Sequence, residues 1–144
     1  MAVYNLCYRM LGDPHLAEDA AQEAFLRAFR SLERYDPTRS ARTWLLSIAA
    51  HHCIDELRRR ARLAWLPLGD SPVPDPGPGP EAALVQGEAE VELRHMLDGL
   101  KPDERAAIIL RYWYDLSVEE IADVVKSSEH AVRTRLYRAR RRLA

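Results

Sequence analysis

The chain is predicted to be all-α, with two small helical domains joined by a proline-rich linker. Three observations predict this. No segment sustains the period-two alternation of a strand, whereas several repeat apolar residues at helical spacing. Six of the nine prolines fall between Pro67 and Pro80, in 67-PLGDSPVPDPGPGP-80, where lost donors and fixed φ stop helix and sheet alike. The last third, 117-SVEEIADVVKSSEHAVRTRLYRARRRL-143, divides into two short helices at a turn. The expected boundaries are 1–62 for the first domain, 63–80 for the linker and 81–144 for the second domain.

Taken in order, a first helix spans 2–11 and stops at Gly12. Asp13 caps the next, with Pro14 at the first helical position, where its missing N–H costs nothing. Leu16, Ala20, Ala24 and Ala28 alternate with Ala17, Ala21 and Phe25 to give this helix a buried face running to about Leu32. The segment 33-ERYDPTRS-40 is a loop, and Ser40 caps a third helix from Ala41 to about Arg62. Beyond the linker, helices are expected over 81–98 and from Pro102 to about Tyr112, followed by the terminal pair.

That pair carries the strongest local signals. Ser117 and Glu120 have the spacing of a capping box, and Ser128 caps the last helix. Val132, Leu136, Ala139 and Leu143 form one apolar stripe, which turns Arg133, Arg138, Arg140, Arg141 and Arg142 mostly outward. Two short helices with a basic second one are the build of a helix-turn-helix, which lays its second helix in the major groove. An Arg-rich terminal helix also occurs as a plain solvated face. Lys126 stands where the turn usually has Gly, and a left-handed conformation there costs about 1–2 kcal/mol.

Charge is informative in its distribution. The net charge is −1, yet basic side chains cluster at Arg58–Arg62 and Arg133–Arg142, around an acidic middle, and clustering creates local positive potential. Cys7 and Cys53 are too few and too far apart for a disulfide framework, which suits a reducing compartment. No run is long enough to span a bilayer and no signal peptide is present, so a cytoplasmic protein without membrane insertion is expected. His51, His52, Cys53 and Asp55 make a poor zinc or catalytic site, because three consecutive side chains cannot share one helix face and no second cluster completes it. There is no Gly-rich phosphate loop. Neither an enzyme nor a metal or other cofactor is expected.

On the third helix Trp44, His51, Asp55, Arg58, Arg59 and Arg62 fall within one stripe, with Leu45, Ile48, Ala49 and Leu57 on the buried side. An exposed aromatic among bases suits single-stranded nucleic acid, where stacking is worth about 1–3 kcal/mol per base. A Trp near a helix start also packs in cores, and this helix alone leaves both readings open. Asp55 lies at the right spacing to orient Arg58 and Arg59. On the second helix Glu18, Asp19, Gln22, Glu23, Arg27 and Arg30 lie outside the buried face, which fits either the helix dipole or a protein-docking surface.

Together these segments resemble a bacterial sigma factor of the sigma-70 family, of the extracytoplasmic-function (ECF, group 4) class. The stretch 18-EDAAQEAFLRAF-29 is similar to the region 2 motif that binds core RNA polymerase, 43-TWLLSIAAHHCIDELRRR-60 to the helix that recognises the −10 element, and 108-IILRYWYDLSVEEIADVVKSSEHAVRTRLYRARRRL-143 to region 4, which reads the −35 element. The resemblance implies a region 2 bundle and a region 4 helix-turn-helix with no domain between them. It also implies that the chain begins inside the family's first region 2 helix, with N-terminal material missing. His51 stands where the family usually has Asn, and Lys126, Ser127 and Ala131 where Gly, an apolar residue and Thr are common.

The implied function is promoter-specific transcription initiation with core RNA polymerase and promoter DNA as partners, and an anti-sigma factor as a further partner. The alternative is a helix-turn-helix regulator that does not engage polymerase; the 18–29 motif and the Trp44 face argue against it. For polymerase, Asp19, Gln22 and Glu23 are the expected contacts, with Phe25 in support. For the −10 element and its melting they are Tyr35, Arg39, Arg42, Trp44, His51, Asp55, Arg58, Arg59 and Arg62. For the −35 element, Ser128, Glu129, His130 and Arg133 lie at the end of the helix that meets base edges, while Arg135, Arg138 and Arg141 are placed for phosphates.

Overall fold

The computed structural model describes residues 1–64 and 87–144. Helix α1 is Ala2–Leu11, α2 Pro14–Arg30 and α3 Ala41–Ala64, with a 3₁₀ turn at Leu32–Arg34 between the last two. Then come α4 (Glu88–Asp98), α5 (Pro102–Tyr112), α6 (Val118–Val125) and α7 (Glu129–Leu143). Among the described residues there is no strand. Most of the expected linker lies outside them; α3 runs two residues beyond Arg62, and the helix expected over 81–98 is described from Glu88 onward.

The helix ends follow from local chemistry. Gly12 closes α1 at φ 75°, in the left-handed region, which glycine enters without a Cβ clash. Asp13 Oδ1 accepts from the backbone N–H of His15 at 2.8 Å and of Leu16 at 3.1 Å. Both halves of the Ser117–Glu120 capping box form, and Ser128 Oγ accepts from Ala131 N at 3.0 Å. Lys126 adopts φ 53°, ψ 49°. The turn therefore keeps its left-handed geometry, and the chain bears the cost of a Cβ there.

Helices α1–α3 pack through small residues. Ala17, Ala20, Ala21, Ala24 and Ala28 line the buried stripe of α2, which lies against Leu6 and Met10 of α1 and Leu46, Ala49 and Ala50 of α3. Phe25 and Leu32, expected to continue this face, are exposed. The reason is angular. Phe25 sits about 80° from the centre of the alanine stripe, and the chain has left the α-helix before Leu32. Cys7 and Cys53 are both buried as free thiols, and the Cys53 thiol is pushed up by its hydrogen bond with Cys7 and by burial.

The second bundle closes around Ile109, Leu110, Ile121, Val124, Val132 and Leu136. The apolar stripe expected on α7 is present, with Val132, Leu136 and Ala139 buried and Leu143 half-buried. Glu104 is buried on α5 and reaches Arg142 Nε at 3.4 Å.

The two bundles share one continuous core, which sequence spacing did not anticipate. Helix α3 is buried on a wider arc than expected: Leu46, Ser47, Ala50, Cys53 and Ile54 join Ala49, while Leu45, Ile48 and Leu57 are only half-buried. The arc is wide because α6 covers one side of it. Ser47 Oγ donates to the Val124 carbonyl at 2.5 Å, Arg105 Nη1 to the Met10 carbonyl at 2.5 Å, and Tyr114 OH to the Ala2 carbonyl at 2.5 Å. Each buried hydrogen bond contributes about 0.5–1.5 kcal/mol net. Arg9 lies over the Trp113 ring at 4.6 Å, and Arg94 over the Tyr8 ring at 5.1 Å.

Two consequences are measurable. Lys126→Gly should raise unfolding free energy by about 1 kcal/mol, because glycine removes the left-handed penalty; a loss of stability in chemical denaturation would show that the Lys126 side chain is needed. Burial pushes the Tyr114 phenol up to about 12. Its folded value lies above its unfolded one, so its contribution is complete below pH 10 and lost as pH rises towards 12. Denaturation at pH 9, 10 and 11 should show a steeper stability loss for the wild type than for Tyr114→Phe.

Candidate nucleic-acid interface

The loop leading into α3 is set by its own side chains. Asp36 Oδ1 accepts from Thr38 N at 2.9 Å and Thr38 Oγ1 at 2.6 Å, and those bonds hold its carboxyl below the usual range. Tyr35 OH donates to the Arg39 carbonyl at 2.8 Å. The Tyr35 ring then lies on Trp44, with centroids 4.8 Å apart and planes tilted by 39°. Trp44 is thus half-buried, edged by an aromatic partner and a cleft of about 600 Å³ that Arg34 and Arg39 also line. Neither simple reading of Trp44 holds alone: the ring is packed on one side and open to a cavity on another.

The stripe on α3 is uneven. Asp55, Arg58, Arg59 and Arg62 are exposed, while Trp44 and His51 are half-buried. His51 Nδ1 lies 2.7 Å from the Ser47 carbonyl, which turns the ring back along its own helix. Arg59 is oriented not by Asp55, as the spacing suggested, but by Glu56, at 2.6 Å; Glu56 also reaches Arg60 at 3.3 Å. The Arg59 hydrogen bond is the main cause holding the Glu56 carboxyl low. Asp55 is displaced from this role because Glu56 points between the two guanidiniums. Arg42 is exposed yet lies over the Tyr114 ring at 5.4 Å.

On α7, Ser128, Glu129, His130 and Arg133 are exposed at the N-terminal end, and Arg133 pairs loosely with Glu129 at 3.8 Å. Arg138 is exposed further along. Arg141 is exposed and lies against Tyr137. Arg135 is half-buried and bound within the bundle, to Asp103 at 3.2 Å and to Ser127 Oγ at 2.9 Å. Its guanidinium is therefore engaged before any phosphate arrives.

Helix α2 presents a surface that the sequence reading only half identified. Asp19 and Gln22 are exposed, and Glu23 is half-buried and pairs with Arg27 at 3.1 Å. Around them lie Phe25 at 38%, Leu26 at 49%, Phe29 at 76% and Leu32 at 58% exposure, large apolar side chains gathered on and just after one helix rather than scattered singly. The signal was present: Phe25, Leu26, Phe29 and Leu32 recur at helical spacing, on a different side from the alanines. Among the described residues no three His, Cys, Asp or Glu side chains converge as a metal would need. No described helix is long and apolar enough to cross a membrane.

Residues 2–63 match the Sigma-70 region 2 family, and residues 90–143 match Sigma-70, region 4. The chain belongs to the sigma-70 family. It is 38% identical over 143 residues to the ECF RNA polymerase sigma factor SigE of Mycolicibacterium smegmatis, covering 98% of this chain and 55% of that protein. It is 36% identical over 151 residues to the ECF sigma factor SigW of Bacillus subtilis, covering 98% of this chain and 80% of that one. The fold is that of the sigma factor RpoE solved with the anti-sigma factor NepR from Bartonella quintana, at TM-score 0.70 and 20% identity over 99% of this chain and 87% of that one. These matches place the chain among ECF sigma factors, with Trp44 in region 2, α7 in region 4, and the cleft beside Trp44 lined from both.

The arginines of α7 should separate by role in binding to a pool of random duplexes. Arg138→Ala should weaken all sequences alike and reduce the salt slope by about one. Arg133→Ala should change which sequences are selected. Arg135→Ala should lower stability by about 1 kcal/mol through lost internal partners. Equal weakening of every sequence by all three would leave α7 as a source of charge alone.

Proposed function

We propose that this sigma factor docks on core RNA polymerase through the exposed side of α2, reads a −35 element with the start of α7, and opens the −10 region at the Trp44 cleft. The observation that carries the reading is the apolar strip of Phe25, Leu26, Phe29 and Leu32 beside Gln22. The strip lies on and just after the 18–29 segment that matches region 2, and leaving it in water is unfavourable at about 25 cal/mol per Å², which supports a protein partner there.

Asp19, Gln22 and Glu23 would supply polar contacts at the rim of this strip. Ser128, Glu129, His130 and Arg133 would face bases, with Glu129 able to accept from cytosine and Arg133 able to grip guanine. Arg138 and Arg141 would hold phosphates, and Arg135 would join them only by exchanging Asp103 for a phosphate. In region 2 the Tyr35–Trp44 pair offers a flat surface for a base turned out of the stack, an event costing a few kcal/mol that binding offsets. Arg39, Arg42, Arg58, Arg59 and Arg62 would follow the strand, with His51 and Asp55 on the same stripe. The site of action is the cytoplasm, where core polymerase and promoter DNA are found. An anti-sigma factor is the regulatory partner this reading supports, as the RpoE structure was solved with one.

In vitro transcription with core polymerase on a pool of random promoters tests the reading. Phe29→Ser with Leu26→Ser should abolish co-purification with core enzyme while helicity is retained. Trp44→Ala should keep polymerase and duplex binding but lose permanganate reactivity of −10 thymines. Transcripts made equally well by both variants would refute the assignment of both surfaces.

A further inference from the structure

Three arginines run down one edge of α7. Arg135, Arg138 and Arg142 fall within about 60° of one another around the helix. Two of them are paired with neighbouring acids in the first turn of α5, Arg135 with Asp103 at 3.2 Å and Arg142 with Glu104 at 3.4 Å. The two pairs are not equivalent. The Glu104 side chain is 2% exposed, and losing Arg142 would leave a carboxylate buried without a counter-charge, the strongly destabilising case. Arg142 is therefore committed to the bundle. Asp103 is 28% exposed and Arg135 25%, so water can take over either group when that pair parts. Arg135 also donates to Ser127 Oγ at 2.9 Å, a neutral hydrogen bond of small net effect. It lies about 4.5 Å nearer the base-facing end of α7 than Arg138 does, on the same edge.

We infer that Asp103 sets the affinity of the −35 interface by withholding Arg135 from the DNA backbone. The inference rests on the reading of α7 as the −35 helix. Arg138 and Arg141 meet phosphates while Arg135 stays on Asp103, because a phosphate must displace a carboxylate that the bundle itself holds in place. The placement is firm. Asp103 sits in the first turn of α5, where the helix N-terminus favours its negative charge. Its Oδ1 accepts from the backbone N–H of Glu104 at 3.0 Å, which leaves Oδ2 for Arg135. Phosphate contacts carry no sequence information, and each one strengthens binding to every duplex alike. Keeping one back leaves a larger share of the binding with Ser128, Glu129, His130 and Arg133 at the base-facing end, and shortens the stay on wrong sequences.

Binding of the full-length chain to fluorescent duplexes of mixed sequence, over a salt series, tests this. Asp103→Asn keeps the size of the side chain and an acceptor for Arg135 but removes the charge, so helicity and melting temperature should hold. Arg135 should then join the phosphate contacts. The slope of log affinity against log salt should steepen by about 0.9, the value for one more phosphate. Low-salt affinity should rise about twofold to fivefold, the size of a part-exposed ion pair, and by the same factor for every sequence. Loss of any acid favours DNA binding, so the substitution is repeated in an Arg135→Gln background, where the slope should not move. Arg135→Gln alone should keep the wild-type slope; a flatter one would mean that Arg135 already meets a phosphate, and would overturn the inference. An unchanged slope in folded Asp103→Asn would overturn it too, as would equal steepening in both backgrounds or a gain confined to some sequences. Arg138→Ala separates this result from the reading beneath it. A flatter slope for Arg138→Ala beside a silent Asp103→Asn removes only the role of Asp103, whereas no response to either removes α7 from the −35 element as well.

Discussion

The hydroxyl of Ser47, buried on α3, must find a partner, and it finds the carbonyl of Val124 in the last turn of α6. The position of nearly everything else is tied to that contact. Helix α3 packs on α1 and α2 with one side and on α6 with another, so it is the element through which the two bundles become one core. Leaving either group of the Ser47–Val124 pair without a partner would cost about 1–3 kcal/mol. The contact therefore also fixes the register in which α6 lies along α3, and with it the distance from region 4 to the Trp44 cleft.

A second tie works at the opposite edge. Arg105, buried on α5, donates to the carbonyls of Met10, Asp98 and Leu100 and lies 3.7 Å from the Asp98 carboxylate. Burial pulls the guanidinium down from its ordinary value, with Asp98 acting against it. A charge this enclosed is tolerable only when hydrogen-bonded, and here the acceptors are the ends of α1 and α4. The ends of helices hold their last carbonyls free, so the same chemistry that terminates each helix supplies the sites that join the domains.

The division of labour among arginines follows from these ties. Chemically alike side chains on α3 and α7 differ in what they touch: Arg59 is held by Glu56, Arg135 by Asp103 and Ser127, and Arg142 by the buried Glu104, whereas Arg58, Arg62 and Arg138 project from the surface. Among the described residues, the last group has no ion pair to exchange before it meets a phosphate. Composition gives all of them equal weight, and geometry does not.

Local chemistry by itself determined the helices and their ends. Gly12, Asp13, Pro14, the Ser117–Glu120 box and Ser128 each act within four residues, so their effect is legible in the chain without knowing the fold. The 3.6-residue stripe of α7 was legible for the same reason, as were the three motifs in order that identify the sigma-70 family. What only the tertiary structure decided depends on partners distant in sequence. Whether Phe25 belongs to the core or the surface turns on how far the alanine stripe of α2 reaches. The wider burial of α3 comes from α6, more than sixty residues later. Glu56 rather than Asp55 holds Arg59 because rotamer and neighbour, not spacing, choose between two adjacent acids. Spacing states which residues share a face of one helix; it cannot state what that face meets.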